Sequence, residues 1–344
     1  MSESLEQYSG KWTFFVNTNR LLFLLVVSTV LLVYYFVGGY GFPDYRNYIA
    51  LAENNGYITS ANEYAAEWVA RFFLRNGFGV ADSAAGTVDF FAAFVQIFYI
   101  VFILILMRGD DLQQQQRGWL FFTLALSPLL LTTALRATPA YLIIAYLCSY
   151  GKISTFRFFI LAVVAISFHD SAIVMIALYV MSCVFCNVFY NVRESFLRWG
   201  MWGAFTLILL SQQVSFLFVS LVSHFDLGIR AVYFQGGESA SVVKKIFLLF
   251  IWVVAYTGLS GEAVSIRSKV FLCASTLVMA LSFSLSEVAG IRFSVYVLGA
   301  AVVAKGAFVF SGNEDSKFKQ VDLVLGFMYF VIMFYDIFRN VKAS

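Results

Sequence analysis

The chain has 344 residues, of which 61% are hydrophobic, 19% aromatic and only 12% charged, with a formal net charge of +3. Soluble proteins carry about 25% charged residues, so this composition excludes a soluble enzyme, a disordered chain and a secreted disulfide scaffold. The small positive balance is spread along the sequence without a basic block, so no nucleic-acid partner is expected.

The polar N-terminus, Met1 to Arg20, has no small-residue cleavage site, and the apolar run after it reads as an uncleaved first span. A transmembrane helix needs about 20 apolar residues. Runs of that kind lie near 21–37, 87–107, 119–135, 137–150, 157–168, 171–190, 200–222, 244–259, 270–287, 291–310 and 321–338. None shows the apolar/polar alternation of a membrane β-barrel strand. The expected fold is an all-α polytopic integral membrane protein of about 11 transmembrane helices, a single transmembrane domain over 1–344 in contact with the lipid bilayer. Run 157–168 is short for a span, so it and 171–190 are expected to be bent or partly re-entrant. Pro128 and Pro139 fall in helical runs, where neighbouring helices can satisfy the freed backbone groups.

A cytoplasmic N-terminus gives the inside segments a slight excess of Lys and Arg. The sizeable outside segments are then Gly38 to Gly86 and Ser223 to Val243. In the first, residues 38–86, Ala65, Trp68, Val69, Phe72 and Phe73 recur at helical spacing among Glu63, Glu67, Arg71 and Arg75. That spacing predicts an amphipathic helix on the membrane surface. Asp44, Tyr45, Arg46 and Tyr48 put charge and aromatic rings at the membrane–water boundary just before it.

Charged residues at a span cost about 2.5–3.5 kcal/mol at the helix centre on insertion scales, so each asks for a reason. Arg136 interrupts two apolar runs within Thr132–Thr138. It reads either as a snorkelling anchor or as an anion-binding fork whose five donors match phosphate oxygens. Arg292 and Tyr296 stand four apart on one helix face. They offer a cation and a hydroxyl to one ligand, or else Arg292 pairs with Glu287 and Tyr296 belongs to an aromatic belt. Arg230, with Tyr233, lies in the second outside segment, where a loop arginine is either ordinary or ligand-binding.

His169-Asp170-Ser171 is not a hydrolase triad, since three adjacent residues do not converge in space. His169 reads as a structural histidine, or as a hydrogen-bond donor or proton carrier. The only other histidine is His224, and no ligand spacing completes a zinc site. Asp110-Asp111 reads as a solvated inside loop. Cys148, Cys183, Cys186 and Cys273 lie in apolar runs as packing residues, the Cys183–Cys186 spacing lacking the strand–helix context of a redox motif. Asp44 and Glu63 share the outer face with Arg136, Arg230 and Arg292. A carboxylate facing arginines suits glycosyl transfer from a phosphate-linked donor, one taking a proton and the others the phosphate charge.

Gly41-Phe-Pro-Asp44-Tyr45-Arg-Asn-Tyr48, Glu63, Ala134-Leu-Arg136, Phe168-His169-Asp-Ser171-Ala172 and Ala289-Gly-Ile-Arg292-Phe-Ser-Val-Tyr296 occur in that order. This series resembles the EpsG-like family of Wzy-type polysaccharide polymerases over roughly residues 20–310. Ala137 stands where that family commonly has glutamine, Asp170 where it has lysine and Tyr64 where it has proline. The resemblance implies a GT-C-like, multi-pass glycosyltransferase of the bacterial inner membrane. Such an enzyme joins undecaprenyl-pyrophosphate-linked oligosaccharide units on the periplasmic face, with no metal and no cofactor. A chain-length regulator and a flippase would be its candidate partners. It implies Arg136 and Arg292 on pyrophosphate, Asp44 or Glu63 as base, His169 on a phosphate or the acceptor, and Tyr48 and Tyr296 positioning sugar or phosphate. Other classes that place charge beside a membrane cavity are a lipid-linked oligosaccharide flippase and another GT-C transferase or ligase.

Overall fold

The computed structural model describes residues 18–38, 42, 45–53, 83–107, 113–149, 153–189, 192–222, 242–260, 264–307 and 316–343. Most of these are helical, and no strand occurs among the described residues. In chain order the helices are α1 (Thr18–Val37), α2 (Tyr45–Glu53), α3 (Ala84–Leu106), α4 (Gln113–Thr132), α5 (Thr138–Ser149), α6 (Thr155–Phe168) and α7 (Ser171–Val188). They continue as α8 (Glu194–Leu209), α9 (Ser211–Val222), α10 (Val242–Leu259), α11 (Ile266–Leu285), α12 (Glu287–Lys305) and α13 (Ser316–Ala343). Among the described residues, six helices are long and apolar enough to cross a membrane: α1, α3, α7, α10, α11 and α12. The protein is an all-α protein of membrane type.

The centre of the bundle is α12. Every residue from Ser294 to Val303 is buried, the pattern of a helix apolar on all sides and enclosed by others. It forms a hairpin with α11 and also packs on α4, α5 and α10. Small residues allow this enclosure, because helices in lipid associate by close packing. A Cβ on Gly118 of α4 would lie 2.6 Å from the Val303 carbonyl oxygen, and one on Gly290 would lie 2.5 Å from the Phe283 Cα. Around this centre, α1 and α13 pack on α4, and α8 packs on α10 and α11.

One expected span differs from the structure. The run 200–222 is divided at Leu210 into α8 and α9. Leu210 keeps its N–H on the Thr206 carbonyl at 2.9 Å but leaves helical geometry at φ −89, ψ 16. Ser211, Gln212 and Gln213 follow, so polar side chains meet the chain where the apolar run breaks. The runs 157–168 and 171–190 are the two helices α6 and α7, joined by a turn at His169 and Asp170. The amphipathic segment around 63–75 lies outside the described residues.

Contacts sort the helix ends into two groups. At one end Arg20 of α1 donates through Nε (3.0 Å) and Nη2 (2.5 Å) to the Met107 carbonyl that closes α3. There Ser268 of α11 donates to the Cys148 carbonyl of α5 at 2.6 Å, and Lys269 pairs with Glu194 of α8. Lys305, only 2% exposed, donates to Thr257 Oγ1 at 2.6 Å. At the other end Tyr48 meets the α4–α5 turn, Ser171 meets Tyr296, and Lys244 of α10 pairs with Glu287.

Candidate functional site

Arg136 stands in a 3₁₀ turn, Leu135–Ala137, between α4 and α5. The last carbonyls of a helix have no partner within it, and away from water each must find one. Leu129 is satisfied by the N–H groups of Thr133 (3.0 Å) and Ala134 (2.8 Å). Leu130 is satisfied by the Thr138 hydroxyl at 2.7 Å. Leu131 accepts Gln96 Nε2 at 2.8 Å, and Gln96 in turn accepts the Tyr35 hydroxyl at 2.9 Å. Thr132 returns its hydroxyl to the Pro128 carbonyl. Thr133 receives the Tyr48 hydroxyl at 3.2 Å, and that hydroxyl accepts the Arg136 N–H at 3.3 Å. The short helix α2 thus fixes the turn that carries Arg136, which is half-buried.

A second tyrosine of α2 anchors it on the opposite side. Tyr45 donates to Asp89 Oδ1 of α3 at 2.6 Å and also reaches the Ala85 carbonyl at 3.3 Å. Tyr48 packs edge-on against Phe91, and Phe42 stacks on Tyr34. This aromatic cluster holds α2 across the ends of α1, α3 and the Arg136 turn.

His169 opens α7. Its backbone is extended, at φ −155, ψ 126, and its carbonyl accepts the Ala172 N–H at 3.1 Å. Its Nδ1 accepts the Ser171 N–H at 3.2 Å. Both are the acts of an N-cap residue, with a ring nitrogen in place of the usual oxygen. The Ser171 hydroxyl lies 2.7 Å from the same Nδ1 and 3.1 Å from the Tyr296 hydroxyl. Tyr141 completes the cluster, its ring 4.3 Å from Tyr296 and 6.4 Å from His169.

Arg136 and Arg292 both act on His169. Burial first, and then these two guanidiniums, push the His169 pKa down from 6.5 to about 3. The imidazole is 7% exposed and neutral across the physiological range. Two arginines from different parts of the chain thus act electrostatically on one buried imidazole. Arg292 is exposed, near the start of α12, whereas Tyr296 one turn on is 1% exposed with its hydroxyl on Ser171. The two residues share a helix but not an environment. Glu287 pairs with Lys244 across to α10.

The structure thus brings together Arg136, His169, Arg292 and Tyr296, with Tyr48 supporting the first. Asp44, Glu63 and Arg230 lie outside the described residues. Ser171 stands in the Phe168–Ala172 element without an assigned role, and the sequence points to neither Tyr141 nor Asp89. Ser171 was detectable as the residue two after an N-cap. Asp89 was hidden in the first turns of an apolar span, and no local pattern ties it to Tyr45. Among the described residues, no three His, Cys, Asp or Glu side chains gather as metal ligands would. Two guanidiniums and a neutral imidazole are a set of hydrogen-bond donors suited to a phosphate or pyrophosphate. No family model matches the chain, and neither does any curated protein or solved structure.

Proposed function

We propose that this protein is a polysaccharide polymerase of the EpsG-like, Wzy type. It would join undecaprenyl-pyrophosphate-linked repeat units at the periplasmic face of a bacterial inner membrane. The observation that carries the reading is that two cations from different helices, Arg136 and Arg292, lie near enough to buried His169 to act on its charge, at the bundle end where Tyr48 supports the Arg136 turn and Ser171 bonds Tyr296. The ordered motif series in the sequence supports it independently.

The acceptor hydroxyl attacks the anomeric carbon of the lipid-linked chain. The new glycosidic bond forms as the bond from that carbon to the pyrophosphate oxygen breaks, and the electron pair leaves with the pyrophosphate. Arg136 and Arg292 stabilise the charge that grows there. A carboxylate takes the hydroxyl proton. Asp44 and Glu63 are the candidates for it, and Arg230 adds a further cation from the second outside segment.

The reading includes eleven crossings and a GT-C-like bundle. Its support is the sorting of helix ends. Arg20 with Met107, Cys148 with Ser268 and Glu194 with Lys269 fall at one end, and Tyr48 with Arg136, Ser171 with Tyr296 and Lys244 with Glu287 at the other. Alternating passages through a bilayer require that grouping. Cysteines introduced at Glu53 and Thr155 then label from opposite sides of the membrane.

The test is polymerisation by purified protein in nanodiscs, using the repeat unit of the source's own glycan on undecaprenyl pyrophosphate. A ladder of products that persists in EDTA is expected. With folded protein and a verified native substrate, the absence of any new glycosidic bond overturns the reading and leaves the flippase to be tested.

A further inference from the structure

The proton on His169 can be placed from the geometry. A backbone N–H can only donate, so the Ser171 N–H at 3.2 Å makes His169 Nδ1 an acceptor. The Ser171 hydroxyl, 2.7 Å from the same nitrogen, must then donate to it as well. That leaves the serine oxygen as acceptor for the Tyr296 hydroxyl at 3.1 Å. The direction of the whole chain follows: Tyr296 O–H to Ser171 Oγ, Ser171 O–H to His169 Nδ1. An imidazole with Nδ1 unprotonated carries its proton on Nε2.

We propose that His169 is an obligate hydrogen-bond donor to a phosphate oxygen through Nε2–H, not a proton acceptor, and that Ser171 and Tyr296 are the positioning residues that fix it so. The proposal rests on the polymerase reading only for the identity of the ligand. Its chemical basis is separate. The Nδ1 lone pair is engaged by two donors, and the Nε2 nitrogen has no lone pair outside the ring's π system. To accept a proton the ring would have to release the cap of α7. Its two charged neighbours, Arg136 and Arg292, oppose that protonation and attract the same anion. The base for glycosyl transfer must then be a carboxylate. Tyr296, which sequence reading assigned to sugar or phosphate, instead works one step removed, as does Ser171. Their link also ties α12, which bears Arg292, to the start of α7 beside His169.

The chain has two histidines, so ring ¹⁵N labelling of the full-length His224→Gln protein in nanodiscs leaves one imidazole to read. Three disc preparations are compared: undecaprenyl pyrophosphate, undecaprenol, and undecaprenol with inorganic pyrophosphate added. His169 is expected to show a protonated Nε2 and an unprotonated Nδ1, unchanged between about pH 8 and pH 5 where a free histidine titrates. Its Nε2–H signal is expected to move with the pyrophosphate lipid and not with undecaprenol. The inorganic arm separates recognition of the headgroup alone from recognition that needs the lipid. Ser171→Ala and Tyr296→Phe are expected to broaden or mix the tautomer signals, and Ser171→Thr to restore them.

Two substitutions separate the ring's nitrogens. In His169→Asn the side-chain oxygen stands near Nδ1 and keeps the cap while the far donor is lost. In His169→Gln the amide nitrogen stands near Nε2 and keeps a donor, and glutamine cannot act as a base. His169→Asn is expected to bind the pyrophosphate lipid about tenfold more weakly, the loss of one hydrogen bond to a charged group. His169→Gln is expected to bind within about threefold of the parent, the smaller loss expected if only its donor geometry is imperfect. A proton on Nδ1, an imidazolium at neutral pH, an Nε2–H signal unmoved by either form of pyrophosphate, or equal losses in the two variants overturns the proposal. Unchanged tautomer signals in Ser171→Ala and Tyr296→Phe overturn the positioning roles. If the signal moves as expected but no ladder forms, the polymerase reading fails and the donor assignment stands.

Discussion

The hydroxyl of Tyr48 accepts the backbone N–H of Arg136 at 3.3 Å and donates to the Thr133 carbonyl at 3.2 Å. One side chain from a short helix thereby closes the turn that carries Arg136. Tyr48→Phe keeps the ring on Phe91 and removes both bonds. Each is worth about 0.5–1.5 kcal/mol net, so thermal unfolding should show a loss of about 1–2 kcal/mol. Turnover should fall further than stability, because the Arg136 turn loses its support. Polymerisation at the parent rate per folded molecule would show that Tyr48 does not position Arg136.

Arg136 and Arg292 should differ from ordinary surface cations in where their loss is felt. A donor aimed at charge that develops in the transition state is worth about 10²–10³ in kcat. Arg136→Ala and Arg292→Ala are each expected to lose ladder formation by that order while expressing normally. Arg136→Lys keeps a point charge but not the planar fork, so it should recover only part of the rate. A full-rate alanine variant at either position removes that arginine from the pyrophosphate clamp.

The apolar runs made most of the fold legible, because hydropathy in a membrane chain reports directly on which segments leave water. Helix ends were less legible. The division at Leu210 depends on three polar residues whose effect no window average registers. The site was legible where a residue's type was costly for its place, as with Arg136, Arg292 and His169. It was illegible where the partner lies far along the chain. Ser171 with Tyr296, and Tyr45 with Asp89, are tertiary pairings that neither periodicity nor charge announces. Nor does the sequence announce that Lys305, at the end of α12, is buried on Thr257 and the Val254 carbonyl.

The enclosure of α12 depends on backbone approach at two glycines, and it can be tested without an activity assay. Alanine at Gly118 would bring a methyl 2.6 Å from the Val303 carbonyl oxygen, and at Gly290 it would meet the Phe283 backbone nitrogen at 2.8 Å. Backbone cannot step aside as a flexible side chain can. Each substitution is therefore expected to lower stability by about 1–3 kcal/mol, the usual cost of overpacking. Gly203→Ala is the control, since the nearest atom there is a Leu277 methyl at 3.8 Å. Equal melting temperatures for all three variants would mean that α12 is in close contact neither with α4 at Gly118 nor with α11 at Gly290.

The neutral state of His169 makes stability depend on pH in a definite direction. Its pKa in the fold is held down to about 3, below the ordinary 6.5, by burial and by Arg136 and Arg292. The unfolded chain therefore binds a proton that the folded chain does not over the interval between those values. The contribution is fully present above about pH 6.5 and is lost progressively as pH falls toward the folded value. Between about pH 7.5 and pH 5.5 the loss should be about 1 kcal/mol from this residue. His169→Asn keeps the cap of α7 but cannot titrate. Its unfolding curve should therefore lack that part of the slope while the parent keeps it. Two parallel pH profiles would mean that His169 is protonated as readily in the fold as out of it, and the neutral donor at the centre of the site would be lost.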